Sequence, residues 1–384
     1  MRNRNCGATP SRDRLAPGGC AARGWAMDAL FGRVVFSVGQ EAYRWEDVLL
    51  AAMLWGDWAR LERQAQEGLA CLKLLEANDE ECDPDEVDAA ADEFRYARDL
   101  LTAEETEAWL RRWGLTVDAW MDYIRRSILR QQRAAELPAI VAAHPVSPDE
   151  IAQAIHAEGV CSGHFARFAQ KLAGRAAVHE RGREQGAPVA PDQEPDLPEA
   201  DAAPLVLPPA AIARVLPGLS TEVCRRRLIA LARLERAFER FAAQALTPKA
   251  IRDAIQAHHL DWIQLHCRSA VFPDEAAARE AALCVREDGQ ALGAVARAAQ
   301  AAARLVRFYL EETQPPARDL FLSARPGELV GPVPSDGAFT LFQVVRKILP
   351  SPEDPGVRRR AEGHVLERAV EREVNARVRW QSPL

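Results

Sequence analysis

The sequence predicts an α+β protein that is mainly α, and three observations carry that reading. Apolar residues recur at helical spacing, with capping signals at the helix starts, through most of the first half. A proline-rich, acidic stretch from Arg181 to Pro209 then interrupts the pattern. Beyond Asp261 short strand-like runs alternate with short helices. On these marks the 384 residues divide into a disordered tail (1–27), a helical module (28–180), a linker (181–209), a helical connector (210–257), a small α/β domain (258–350) and a C-terminal helix (351–384).

Met1 to Gly24 is rich in Arg, Gly and Pro and has no continuous apolar stretch, so it does not read as a secretory signal. It is expected to be a disordered tail, or sequence upstream of a start at Met27. Arg33 to Phe36 reads as a short strand that turns at Gly39 and returns through Tyr43. Asp47 then leads into one long helix from about Val48 to Leu75, with Val48, Leu49, Ala52, Trp55, Leu61, Leu69 and Leu72 on its apolar stripe.

The acidic run Asn78 to Asp85, which contains Pro84, ends that helix. It lacks the central Gly and terminal Glu of a calcium loop and reads as a solvated turn. A helix over Glu86 to Leu101 follows. Thr102 and Glu105 have the spacing of a capping box for a helix carrying Trp109 and Trp113, which Gly114 ends. Val117 to Gln132 forms the next, with Trp120, Ile124 and Ile128 on one face. Six of the nine tryptophans lie between Trp45 and Trp120. Two readings are open for them: packing in a helical core, or a groove whose aromatics accept apolar or proline-containing peptide segments.

An internal repeat links the two halves. Ser147-Pro148-x-x-Ile151-x-x-Ala154-Ile155-x-Ala157 recurs as Thr247-Pro248-x-x-Ile251-x-x-Ala254-Ile255-x-Ala257. Each copy offers a hydroxyl N-cap and a proline at the first helical position. Both are preceded by helices rich in Arg and Ala, so the chain reads as two related halves. Between them, the seven prolines of Arg181 to Pro209, with acids and alanines, predict an extended linker. Helices are expected again near Ala210 to Leu216 and Thr221 to Gln244, the latter with Leu228, Leu231, Leu234, Phe238 and Phe241 on one side.

From Trp262 to Phe272 the chain reads as a strand, followed by helices over Glu275 to Arg286, Ala291 to about Ala303 and Pro316 to Ala324. The segment Arg325 to Val333 and the strand Phe339 to Lys347 complete an order read as β-α-α-β-α-β-β, in which the strand before the last helix has no stated bounds. Its closing run, ARPGELVGPVPSDGAFTLFQVVRK, resembles parvulin domains of the PpiC and SurA type over about ninety residues, through Gly327, Glu328, Gly331 and Pro332. The helical first half followed by such a unit is similar in architecture to SurA-like chaperones. The segments FRYARDLLTAEETEAWLRRWGLT and FPDEAAAREAALCVREDGQ resemble a bacterial family of PpiC-related peptide maturation system proteins.

The resemblance implies a peptidyl-prolyl isomerase pocket, yet the catalytic side chains are not where the family keeps them. The second histidine position falls on Thr340, the pocket Met and Phe near Thr313 and Ala317, and the first-strand histidine near Arg268 or Ser269. His266 and Cys267 stand close by and supply part of a site if the strand is shifted. The loss of so many pocket walls points to a degenerate parvulin-like unit that binds peptide without turnover. Phe272, Phe321, Phe339, Thr340 and Leu341 are the candidate peptide-binding residues. The implied function is a peptide-binding, chaperone-like or scaffold protein assisting maturation of a ribosomally made peptide, and the alternative is an active prolyl isomerase. The implied partners are a peptide or unfolded polypeptide segment, including a modified precursor peptide and its modifying enzyme. Residues 355 to 380 are expected to form one helix, with Val357, Ala361, Val365, Ala369, Val374 and Val378 as its stripe and Trp380 as an anchor.

Other functions lack their residues. A net charge of -7, with arginines interleaved with acids, argues against nucleic acid. No apolar run reaches the roughly 20 residues of a membrane span. His258, His259, His266, Cys267 and Cys284, like His156, Cys161 and His164, show no metal-site spacing, so no metal and no cofactor is expected. His258 and His259 read as the charged finish of a helix. No nucleophile elbow, P-loop or dinucleotide fingerprint occurs. The eight cysteines form no C-x-x-C pair, and with no signal sequence they predict reduced thiols in a cytoplasmic protein.

Overall fold

Val34–Val38 (β1) and Glu41–Arg44 (β2) pair as an antiparallel hairpin through Gly39, whose φ of 57° suits a residue without Cβ. The computed structural model describes residues 30–186, 209–216, 218–335 and 337–381. The expected tail (1–27) and most of the expected linker lie outside them. The chain forms two units, one of residues up to Phe238 together with Glu373–Leu384, the other of Glu239–Arg372.

In the first unit the single long helix expected after Asp47 is two helices, Trp45–Leu54 (α1) and Asp57–Asn78 (α2). Gly56 between them is left-handed, at φ 77°, and helical periodicity alone does not reveal such a break. Pro84 opens Pro84–Tyr96 (α3) from an Asp83 cap, so the acidic run serves as a helix start as well as a stop. The capping box forms: the Thr102 hydroxyl accepts from the Glu105 amide at 3.2 Å and the Glu105 carboxylate accepts from the Thr102 amide at 2.9 Å. It starts Ala103–Trp113 (α4), which ends at left-handed Gly114. Val117–Gln132 (α5), Leu137–Ala143 (α6), Pro148–Cys161 (α7) and His164–Glu184 (α8) follow. Since α8 runs to Glu184, residues 181–184 are helical and do not belong to a linker.

The core of this unit joins β1, α1 and α8 to Trp58, Trp113 and Trp120. At its centre Glu158, fully buried, meets Arg130 at 2.9 Å and Arg126 at 3.6 Å. Beside it Gly159 lets the Phe165 ring approach so closely that a Cβ would stand 2.2 Å from a ring carbon. Pro209–Val215 (α9) and the first part of Thr221–Ala245 (α10) enter the same core through Ile212, Val215, Leu228, Leu231 and Leu234. Arg175 of α8 pairs with Glu235, and Arg227 bonds Glu46 at 2.6 Å. The expected connector (210–257) is therefore divided inside α10, because its apolar stripe completes the first core. The chain returns at its end: Val378–Trp380 (β7) pairs antiparallel with β1, making a sheet of order β2-β1-β7. Trp380 meets Phe36 edge-on at 5.3 Å. The C-terminal helix thus stops at Arg377, where a strand replaces its expected last turn.

The second unit contains Pro248–Ala257 (α11), Gln264–Phe272 (β3), Glu275–Arg286 (α12), Leu292–Ala298 (α13), Ala303–Tyr309 (β4), Ala317–Ser323 (α14), Leu329–Ser335 (β5), Ala338–Ile348 (β6) and most of Pro355–Arg377 (α15). Both copies of the sequence repeat start helices as expected: Ser147 and Thr247 cap α7 and α11 with ψ of 153° and 151°. The next elements differ, a long helix after α7 and strand β3 after α11, so the shared pattern is helix-start chemistry and not two like halves. The antiparallel sheet has the order β4-β3-β6-β5. A bulge between Val330 and Val333 brings Gly331, at φ 117°, so close that a Cβ would stand 2.7 Å from the Thr340 carbonyl oxygen. Val357, Ala361 and partly buried Val365 of α15 pack with Ile251, Ile255 and Trp262. Among the described residues no helix is long and apolar enough to cross a membrane.

A specific protease site inserted between residues 187 and 208 can be cut without touching a described element. The cut chain should still elute as one species, because residues on both sides of the cut fill one core. Separation of the fragments without denaturant would contradict this arrangement.

Candidate functional site

β3 is the strand on which the sequence placed its catalytic candidates, and it is the centre of the second unit, paired to β4 on one side and β6 on the other. Successive side chains of a strand point to opposite faces. Leu265 and Cys267 join Leu310, Phe321, Val330 and Val344 in the layer beneath α14. Ala270 and Phe272 join Leu341 and the small residues of α12 and α13 on the other face. His266 and Cys267 are adjacent in sequence and therefore diverge in space.

Neither residue has the surroundings of a catalyst. Cys267 is fully buried, and burial pushes its thiol up to about 11, so it stays protonated at neutral pH. His266 shares a hydrogen bond between its Nε2 and the Gln264 Oε1 at 2.8 Å. It stands between its cross-strand partners Arg307 and Arg346. Burial first, and then those two guanidiniums, hold its pKa below the usual value. With Cys267 turned to the opposite face, the hydrogen-bonding neighbours of the His266 ring are Gln264 and Arg346.

The expected peptide-binding residues divide between the same two faces. Phe272 and Leu341 lie in the core against α12 and α13, with Phe339 partly buried beside them, whereas Phe321 belongs to α14 and faces the opposite core. Phe272, Phe321, Thr340 and Leu341 are all buried, so as packing residues they offer a peptide no accessible surface. Among the family-derived positions, Ser269 and Thr340 are buried on the α14 face, and Ala317 packs against its core. The Ser269 hydroxyl donates to the Arg304 carbonyl at 3.4 Å. The Thr313 hydroxyl donates to the Leu310 carbonyl at 2.7 Å, closing a turn. Arg268 points to the opposite face, over Gly293.

What the α14 face does present is aromatic. Phe308, Phe321 and Phe342 interlock edge-to-face, with centroids 5.2, 5.2 and 5.9 Å apart. Phe308, Phe342, Val306 and Val333 remain partly accessible. Beside them β4 is an outer strand of its sheet, with Leu305 72% exposed and Arg304 and Arg307 along it. Sequence reasoning missed these residues. The usable signal was the run Leu305-Val306-Arg307-Phe308-Tyr309 ahead of Glu311 and Glu312.

The tryptophan-rich region of the first unit is mainly core: Trp45, Trp58, Trp113 and Trp120 are buried. A cleft of about 540 Å³ does open there, lined by Trp109, Trp113, Phe165, Arg98, Arg112 and Glu105. No protein-family model matches the chain, and no curated protein matches it.

Native-state thiol labelling at neutral pH should modify Cys284 well before Cys267 or Cys161. Cys284 is only partly buried, while the other two thiols are buried, with pKa values pushed up to about 11 and about 12. Peptide mapping by mass spectrometry reads the order directly. Early modification of Cys267 would mean that β3 is open to solvent and would return its thiol to consideration as a nucleophile.

Proposed function

We propose that the second unit is a parvulin-like domain that holds an extended peptide without isomerising it. On this reading the chain is a chaperone-like or scaffold protein in peptide maturation. Support for the fold comes from the β-α-α-β-α-β-β order and the antiparallel sheet of order β4-β3-β6-β5. The absence of catalysis is supported by the divergence of His266 and Cys267 and by the buried hydroxyls where the family keeps its polar pocket.

The observation that carries peptide binding is the outer strand β4. An outer strand offers backbone N–H and C=O groups to an added strand, which gives affinity with little sequence dependence. Its exposed Leu305 and the half-covered rings of Phe308 and Phe342 supply apolar contact. Arg304 and Arg307 favour a peptide that carries carboxylates. This is recognition by main chain plus side-chain contacts, and it requires no desolvated prolyl bond.

The test pairs two measurements on the whole chain. In a protease-coupled assay with an Xaa-Pro substrate, the expected rate equals the uncatalysed rate and His266→Ala changes nothing. In fluorescence anisotropy with an extended acidic–apolar peptide, Leu305→Asp combined with Arg307→Glu is expected to weaken binding about tenfold or more, roughly 1.4 kcal/mol. Turnover at the rate of an ordinary parvulin, lost in His266→Ala, would refute the non-catalytic reading. Binding unchanged by the double substitution would refute the site on β4.

A further inference from the structure

His258 follows the last turn of α11 and His364 lies on α15, 106 positions apart in sequence. Their Nε2 atoms are 3.2 Å apart. Nothing in the peptide reading uses them. The His258 ring is fixed on two sides: its Nδ1 is 3.1 Å from the Asp261 Oδ2, and its face stacks on Trp262 with centroids 4.8 Å apart. Asp261 is itself held by Arg318 at 2.5 Å. The Trp262 indole donates to Glu311 at 2.9 Å, and Arg360 pairs with Glu311 and Glu312.

Asp261 accepts from the His258 Nδ1–H, which aims the His258 Nε2 at the His364 Nε2, and the two nitrogens share one hydrogen. A neutral imidazole with a lone pair on Nε2 and its Nδ1–H held by a carboxylate is the oriented form of a metal-ligating histidine. The spacing suits one shared ion. Two nitrogens about 2.05 Å from a metal are about 2.9 Å apart at right angles and about 3.3 Å apart at the tetrahedral angle. The observed 3.2 Å lies between these limits.

We infer that His258 and His364 form a two-histidine site for a divalent transition-metal ion, Zn²⁺, Ni²⁺ or Cu²⁺, with Asp261 as the positioning residue for His258. Imidazole pairs suit these ions in preference to Mg²⁺ or Ca²⁺. On binding, the hydrogen shared by the two Nε2 atoms passes to water or to the His364 Nδ1, and each ring holds the ion through a bare Nε2 with its hydrogen on Nδ1. No group of three or more potential ligands gathers among the described residues, so the remaining coordination positions go to water. The His258 side chain is 28% exposed, which gives an ion access. The ion would tie α15 to the end of α11 within the second unit.

Untagged chain, stripped with chelator, is titrated with Ni²⁺ alone by calorimetry, and the Cu²⁺ form is examined by electron paramagnetic resonance. One equivalent should bind, and the Cu²⁺ spectrum should carry coupling to imidazole nitrogens. His364→Gln should abolish binding, with its melting temperature in chelator close to wild type. Asp261→Asn should weaken binding by about 10–100-fold with stoichiometry unchanged, as loss of such a partner does at metal-bound histidines. His144→Gln, in the first unit, should have no effect. Binding should weaken at acidic pH, where protons compete for both rings. Absence of saturable binding, a spectrum without nitrogen coupling, or full binding in His364→Gln would overturn the assignment.

Discussion

The second unit depends on the position of β3. It is hydrogen-bonded along both edges and packed on both faces over part of its length, so its buried side chains belong to one of two separate layers. That constraint gives the unit its cores, small residues against α12 and α13 on one face and aromatic residues beneath α14 on the other. It also separates His266 from Cys267 more firmly than any substitution would. A strand buried on both faces has no room for a reactive pair in consecutive positions. Chemistry on such a sheet has to come from one face or from an outer strand, and the face beneath α14 supplies rings, hydroxyls and the buried Cys267 thiol, with the Lys347 ammonium bound to the Leu322 carbonyl.

The first unit is held by a different device. Burial of Glu158 against Arg126 and Arg130 is costly in desolvation, and such clusters are poor contributors to net stability even where breaking one partner is expensive. Here the cluster sits where α5 and α7 meet, and Gly68 of α2 approaches Arg126 so closely that a Cβ would stand 2.8 Å from its side chain. Three helices are thereby fixed in register by one ionic centre, with tryptophan packing around it. The return of β7 to β1 closes the same unit with the last residues of the chain.

Local chemistry was legible in the sequence, and long-range placement was not. Thr102 with Glu105, Ser147 and Thr247 with their prolines, and the helices Val117–Gln132 and Glu275–Arg286 depend on residues within a few positions of one another. Gly56 was visible, but only its backbone angle shows that it divides a helix. The membership of α10 in the first core depends on partners such as Arg175 and Glu46, and the strand at Val378–Trp380 depends on β1. Burial of the candidate site residues is likewise a long-range outcome. Phe272, Phe321 and Leu341 have the composition of a binding surface and of a core alike, and burial decides between them. His258 and His364 meet across 106 positions, a contact that no spacing rule reports.

A peptide that adds to β4 without entering the sheet faces leaves a distinct trace in amide hydrogen exchange. The measurement is made on the whole chain, with and without saturating extended peptide, and resolved by segment. Slowed exchange is expected over Ala303–Tyr309, with β3 unchanged because its amides are already paired on both sides. Protection confined to the cleft near Trp109 and Phe165, with β4 exchanging as in the free protein, would contradict binding at the outer strand.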